Sequence, residues 1–258
     1  MRILISNDDG VHAHGLRALV HAVAPLGEVT VIVPDRPRSA CSHSVTLHKP
    51  LRVEEVALDG QHTALTCSGT PSDCVALGIE AIMPVRPDVV ISGINLGPNI
   101  GDDVSYSGTI AAAMEAAIFG LKSIAISVCG SEGVDFAYAA QLARQTAELL
   151  LATDFPPETI LNLNVPNLPA DEIVGLEITR QGRRRWRDQF EKRADMRGGH
   201  YYWRGGVPED DPDEPGTDVW AIHHKRVSIT PLSLQWSHGA GMAAIEDLVK
   251  RLRRDRGA

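Results

Sequence analysis

The chain has 258 residues, of which 43% are hydrophobic and 22% are charged, and its formal net charge is −8 at pH 7. This composition is typical of a globular protein and excludes a coiled coil, a fibrous protein and a disordered chain. The acidic balance argues against nucleic acid as the default partner, because an acidic surface repels the phosphate backbone. We expect a cytoplasmic protein without membrane association, since the sequence shows neither a signal peptide nor an apolar stretch long enough to span a bilayer.

The length suits one large α/β domain with an elaboration. We predict a single domain over residues 1–258, with a core over about residues 1–166 and an arm with C-terminal elements over about residues 167–258. The four cysteines are scattered, so neither a zinc knuckle nor a redox motif is expected. The ten histidines lack the H-E-x-x-H spacing, and a histidine metal site is the less favoured interpretation.

The first half of the chain alternates short apolar runs with helical patterns, which predicts βαβ units and a largely parallel sheet. The predicted strands are residues 3–6, residues 29–33, PDVVISGIN, KSIAISV and ILNLNV. The predicted helices are LRALVHAVAPLG, GTPSDCVALGIEAIM, TIAAAMEAAIFG and FAYAAQLARQTAELLLA. This order indicates a doubly wound α/β domain, and such sheets bind ligands beyond the carboxyl ends of their strands.

The sequence pattern changes after Pro166, where the alternation of apolar strands and helices ends. EIVGLEITRQG and DVWAIHHKRVSIT are strand-like, and the charged, aromatic, glycine-broken segment between them predicts an extended hairpin or arm. MAAIEDLVKRLRR, near the end of the chain, predicts an amphipathic helix that ends in cations, as the helix dipole prefers.

Two adjacent carboxylates, Asp8 and Asp9, follow the first predicted strand. Neighbouring carboxylates repel each other unless a cation lies beside them, and oxygen ligands of this kind suit magnesium, manganese or calcium. The alternative is that Asn7-Asp8-Asp9-Gly10 forms a turn whose carboxylates cap the next helix.

A glycine-rich loop, SGINLGPNIGDDVSYSGT, follows the third predicted strand and leads into an alanine-rich helix. Glycines let backbone amides approach a ligand closely, and a helix N-terminus favours a phosphate group. Ser107, Gly108 and Thr109 are placed to form such a cradle, although Ser107 could simply cap the helix. The spacing matches neither the dinucleotide motif nor the nucleoside-triphosphate motif.

Other polar side chains are expected at the same sheet edge. Asn95 could offer its carbonyl oxygen to a metal held by the first strand, and Asn99 could donate its amide to a phosphate oxygen. The loop PDRPRSACSHS, after the second strand, supplies serine hydroxyls that could serve as further ligands. Each of these residues could equally be an ordinary turn or solvated residue.

These motifs together resemble the survival protein SurE family of metal-dependent nucleotidases. The resemblance covers nearly the whole chain and rests on ILISNDDG, PDRPRS, SGTPSDCVALG, SGINLGPNIGDDVSYSGTIAAAMEA and VSITPL. It implies a Rossmann-like three-layer core with a mostly parallel sheet, a C-terminal β-hairpin arm and a terminal helix. It also implies a homodimer or homotetramer in which the arm is exchanged.

The resemblance also implies roles for individual residues. One magnesium or manganese ion per subunit would be bound by Asp8, Asp9, Ser39 and Asn95. The substrate phosphate would be held by Asn99, Ser107, Gly108 and Thr109. The chain departs from the family pattern at two positions: His14 stands where the family usually has proline, and Ala40 stands where it usually has glycine.

The predicted reaction is hydrolysis of nucleoside monophosphates by metal-activated water, with short polyphosphate as a further candidate substrate. Asp8 is expected to bind the metal and to accept the water proton, while Asp9 is chiefly a ligand. Asp8 and Asp9 are thus the predicted catalytic residues, and the sequence does not fix the base, the sugar or a 5′ against a 3′ phosphate.

Two other classes of protein remain as alternatives. A magnesium-binding signalling receiver also carries paired acids after its first strand, but here no aspartate ends the next strand to accept a phosphoryl group. A nucleotide-binding module or dehydrogenase would share the fold but lacks its phosphate motif here.

The basic stretch RQGRRRWRDQFEKR could bind a polyanion, although a solvated hairpin face that pairs with EDDPDE is favoured. An arm that does not cover its own core must bury its apolar residues elsewhere, so we expect a homo-oligomer.

Overall fold

The structure is a computed structural model, and it describes residues 1–235, 237, 241, 242, 245, 246 and 249. The predicted terminal helix, MAAIEDLVKRLRR, lies mostly outside the described residues. No helix in the described part of the chain is long and apolar enough to cross a membrane.

Strands alternate with helices through the first two thirds of the chain, except that three strands follow one another between the first and the second α-helix. The strands are β1 (Arg2–Ser6), β2 (Glu28–Pro34), β3 (Val53–Ala57), β4 (Thr63–Cys67), β5 (Val89–Leu96), β6 (Lys122–Cys129), β7 (Thr159–Pro166), β8 (Gly175–Ile178), β9 (Arg184–Ala194), β10 (His200–Asp210) and β11 (Arg226–Ser233). The helices are α1 (His14–Val23), α2 (Pro71–Leu77), α3 (Gly108–Ile118), α4 (Ala137–Ala152) and α5 (Asp218–His223).

Within residues 1–235, nine strands form one sheet in the order β3-β4-β2-β1-β5-β6-β7-β11-β8. The central strands from β4 to β7 are parallel, while β3 and β11 pair antiparallel with their inner neighbours. The carboxyl ends of β1, β2 and β5 therefore meet at one edge of the sheet. This confirms the predicted α/β class with a mostly parallel sheet.

Helices cover both faces of the sheet, because successive side chains of a buried strand point to opposite sides. In β1, Ile3 and Ile5 pack toward α1 and α4, whereas Leu4 packs toward α2 and α3. On α1, Leu16 and Leu19 are fully buried, and each such side chain stabilises the fold by about 1.5–3 kcal/mol relative to exposure.

Strands β3 and β4 were not among the predicted strands. Most of β3 is exposed. Its adjacent Glu54 and Glu55 interrupt the apolar–polar alternation by which a strand can be predicted from sequence. It lies at the edge of the sheet, where charged side chains protect the free backbone from pairing with another chain.

The strand-like interpretation of DVWAIHHKRVSIT is half wrong. Its first part is helix α5, and only the part from Arg226 onward is strand β11. Thr217 begins the helix, because its hydroxyl accepts a hydrogen bond from the backbone N–H of Trp220 at 3.1 Å.

The predicted hairpin arm is confirmed as a separate antiparallel sheet of β9 and β10, paired from Arg184 with Asp210 to Ala194 with His200. Its basic strand pairs with acidic residues of the same chain: Arg184 lies 3.1 Å from Asp210, and Arg187 lies 3.4 Å from Glu209. The favoured interpretation of a solvated face that pairs with the acidic segment therefore holds.

Candidate functional site

Asp8 lies at the carboxyl end of β1 and is almost completely buried. Its Oδ1 accepts a hydrogen bond from the hydroxyl of Thr109 at 2.5 Å. Its backbone carbonyl accepts from the N–H of Arg38 at 2.7 Å. The next residue, Asp9, accepts from the backbone N–H of Leu96 at 3.2 Å. The two carboxylates thus contact α3 and the end of β5, and the Asp8 backbone contacts the loop after β2.

Burial disfavours the charged form of both acids. Burial raises the pKa of Asp8 to about 6, although the Thr109 hydroxyl opposes this rise, and the neighbouring charge of Asp9 adds to it. Burial also raises the pKa of Asp9. Two desolvated carboxylates side by side are the arrangement that a bound cation would stabilise in the ionised state.

A cleft of about 560 Å³ opens beside these carboxylates. It brings together most of the predicted site residues, namely Asp8, Asp9, Ser39, Asn95, Asn99 and Ser107. Gly108 and Thr109 are buried beneath this surface, against Asp8. Residues from the loops after β1, β2 and β5 therefore converge where the topology predicted.

The predicted metal ligands fit a hard divalent cation. The register of β5 against β6 shifts between Ser92 and Asn95, and such an irregularity redirects a side chain beside a site. The amide nitrogen of Asn95 donates to the carbonyl of Gly97 at 2.8 Å, which leaves its Oδ1 free of that bond. With Ser39 and the two carboxylates, the four predicted metal ligands all offer oxygen atoms, as magnesium and manganese prefer.

The predicted phosphate cradle lies at the N-terminus of α3. The Ser107 hydroxyl caps this helix by accepting from the N–H of Ile110 at 3.0 Å. Thr109 is fully buried and its hydroxyl is engaged by Asp8, so it can reach a phosphate only through its backbone. The capping interpretation of Ser107 is therefore confirmed, while its role in phosphate binding stays a prediction that is compatible with the cap, since a capping hydroxyl still has a proton to donate.

Asn99 belongs to a buried polar network that the sequence analysis missed. Its amide nitrogen donates to Ser127 at 2.7 Å, and its backbone N–H donates to Asn164 at 2.8 Å. Asn162 donates to the Asn99 carbonyl at 2.9 Å. The signal was present as two asparagines in alternate positions of the otherwise apolar ILNLNV strand. One N–H of the Asn99 amide remains for a ligand.

Asp218 is a second buried acid that was missed. Its carboxylate accepts from the backbone N–H groups of Gly101 at 3.0 Å and Gly182 at 2.7 Å. It therefore fastens the glycine-rich loop to the base of the arm. Burial raises its pKa, while these backbone donors oppose that rise.

The arm contributes to the cleft. The indole N–H of Trp186 donates to Asp103 at 2.6 Å, and Arg204, Gly205 and Gly206 line the cleft from the opposite strand of the hairpin. Tyr106 lines it from the glycine-rich loop. Two aromatic side chains, Trp186 and Tyr106, thus stand beside the predicted phosphate cradle.

The two departures from the family pattern fall at positions with special backbone geometry. Ala40 has a φ of 54°, a left-handed conformation that an alanine adopts only at a cost of about 1–2 kcal/mol. His14 is the first residue of α1, where proline's fixed φ would suit the helix. His14 is exposed.

Comparison with known proteins agrees with the geometry. A family model described as "Survival protein SurE" matches residues 3–188. A curated protein of Moorella thermoacetica, named 5'-nucleotidase SurE, is 47% identical over 91% of this chain and 90% of its own length. One of the same name from Thermosynechococcus vestitus is 49% identical over 98% of this chain and 97% of its own length.

A solved structure is also similar. The crystal structure of Sure protein from Aquifex aeolicus is 38% identical, covers 98% of this chain and 100% of its own, and superposes with a TM-score of 0.81.

Proposed function

We propose that this chain, which belongs to the survival protein SurE family, is a 5'-nucleotidase, and that its own residues carry out the reaction as follows. The substrates are nucleoside monophosphates, and short polyphosphate is a further candidate. The observation that carries the proposal is the convergence of four oxygen donors in one cleft, beside the N-terminus of α3.

Members of this family depend on a metal, and we propose one magnesium or manganese ion per subunit, held by Asp8, Asp9, Ser39 and Asn95. Such an ion supplies two things when it is bound: it neutralises phosphate charge and lowers the pKa of water in the site. Asp8 takes the proton of the attacking water, because its carboxylate lines the cleft in which that water would be held.

The remaining residues hold the substrate. The Ser107 hydroxyl, the free N–H of the Asn99 amide and the backbone N–H groups at Gly108 and Thr109 bind the phosphate oxygens. Trp186 and Tyr106 offer flat faces on which a nucleobase can stack. A receiver-like alternative is not favoured, because β5 ends in Asn95 and Leu96 without an acceptor aspartate.

Removal of the metal tests this proposal directly. We expect phosphate release from nucleoside monophosphates to fall to background in a chelator and to return when magnesium or manganese is restored. The measurement is a colorimetric phosphate assay over nucleoside monophosphates and a generic aryl phosphate, with and without chelator. Full activity in the chelator would contradict the metal-dependent mechanism.

We also propose a homodimer or homotetramer in which the arm extends over a neighbouring subunit. An isolated two-stranded hairpin is marginally stable in water, yet this hairpin exposes large apolar side chains. They include Phe190, Tyr202 and Trp203, which are 64%, 59% and 60% exposed.

The assembly is tested by analytical ultracentrifugation at micromolar concentration. We expect the wild-type protein to sediment as a dimer or tetramer and Trp203→Ser to shift toward the monomer, because exposed apolar area is what association buries. Leu149→Ser is the matched control, since Leu149 is 68% exposed on α4, away from the arm. A monomeric wild-type protein would refute the proposal.

A further inference from the structure

Three potential metal ligands that the reaction does not use lie together on the surface. His21 is in the last turn of α1, and Asp59 and His62 are in the turn between β3 and β4. The Nε2 of His21 is 3.0 Å from Asp59 Oδ2, and the Nδ1 of His62 is 3.2 Å from both carboxylate oxygens. The three ligand atoms all lie within 4.8 Å of one another.

This cluster is remote from the cleft. Strand β4 is parallel to β2, and β2 is parallel to β1, so the turn before β4 lies at the amino edge of the sheet. Helix α1 crosses back from the end of β1 to the start of β2, so its last turn reaches the same edge. The cleft residues Asp8 and Asp9 lie at the opposite, carboxyl edge.

The separations suit a transition metal. In a tetrahedral zinc site with bonds of 2.0–2.1 Å, neighbouring ligand atoms are about 3.3 Å apart. The two nitrogen-to-oxygen separations here, 3.0 and 3.2 Å, are close to that value before any side chain moves. His21 is half exposed, so water can complete the coordination.

The carboxylate is prearranged by its own turn. Asp59 Oδ1 accepts from the backbone N–H groups of Gln61 at 2.7 Å and His62 at 2.8 Å. These two backbone donors favour the ionised form of the carboxylate. Its Oδ2 is left to face the two imidazoles, whose rings are packed edge to face at 5.1 Å.

We propose that His21, Asp59 and His62 form a second metal site, which takes a borderline transition ion of the Zn²⁺ class and clamps the β3–β4 turn to α1. Two imidazoles and one carboxylate favour such an ion, whereas the oxygen donors of the cleft favour magnesium or manganese. The two sites thus differ in the metal they select. Without a metal, the same three groups form a hydrogen-bonded histidine–aspartate–histidine cluster.

The test is a zinc titration by calorimetry, performed on the Asp8→Asn background and in excess magnesium so that zinc does not fill the cleft. We expect one zinc equivalent per subunit, lost in His21→Ala and in His62→Ala. His48→Ala is the matched control, because His48 is an exposed histidine outside the cluster. Zinc binding that is equal in all three histidine variants would overturn the proposal.

A second measurement separates binding from folding. Zinc should raise the thermal midpoint of Asp8→Asn and of its His48→Ala variant, because a ligand that binds only the folded state stabilises it. The rise should be absent in His21→Ala, and an undiminished rise there would count against the site. Otherwise wild-type protein with His21→Ala should keep its magnesium-dependent nucleotidase activity, so this result is independent of the catalytic proposal.

Discussion

Asp8→Asn is expected to lower kcat on the order of 10²-fold or more while leaving the fold intact. Asparagine is nearly isosteric with aspartate. Its side-chain carbonyl oxygen can still accept the hydrogen bond that the Thr109 hydroxyl donates to Asp8 at 2.5 Å. What is lost is a negative charge that holds the cation and a base that takes the water proton. Phosphate release from a nucleoside monophosphate measures the change.

Two comparisons make this result specific. Asp102→Asn alters an exposed acid on the glycine-rich loop, and its turnover should match the wild type. Assays at rising magnesium then separate the two roles of Asp8. If Asp8→Asn only weakens metal binding, saturating magnesium restores the activity. If the variant lacks the proton acceptor, saturating magnesium does not restore it. Turnover near the wild-type rate would remove Asp8 from the mechanism.

The position of the site could be predicted because topology places it. Parallel strands end at one edge, so Asp8 after β1 and Asn95 at the end of β5 had to face each other once the βαβ order was recognised. The glycine-rich loop added the N-terminus of α3 at the same edge. These are consequences of local pattern and strand direction, which the sequence carries explicitly.

The contacts that tune the site could not be predicted, because they join residues far apart in the chain. The sequence around Thr109 does not indicate that its hydroxyl donates a hydrogen bond to Asp8 instead of to a ligand. Nothing near Trp186 indicates that it meets Asp103 at the cleft. The same holds for Asp59 and His21, since only the crossover of α1 brings them together.

Gly108→Ala should damage catalysis although it removes no functional group. The added Cβ would lie 2.7 Å from Asp8 Cβ and 2.9 Å from Asp8 Oδ2, both inside van der Waals contact. Rotation of the Asp8 side chain does not move its Cβ, so the backbone must shift, either at Asp8, whose carbonyl accepts from the Arg38 N–H, or at the start of α3. A misplacement of about 1 Å can cost on the order of 10²-fold in rate, and we expect a loss of that size in kcat.

Stability should respond differently from activity in this variant. Alanine is favoured over glycine within a helix by about 1 kcal/mol, which offsets part of the crowding at the first residue of α3. Gly60→Ala is the matched control, because a Cβ there meets no heavy atom within 4 Å, and both its rate and its thermal midpoint should be unchanged. A kcat for Gly108→Ala equal to that of Gly60→Ala would show that the reaction tolerates a displacement of Asp8. The close approach of α3 to this carboxylate would then make no contribution to the rate.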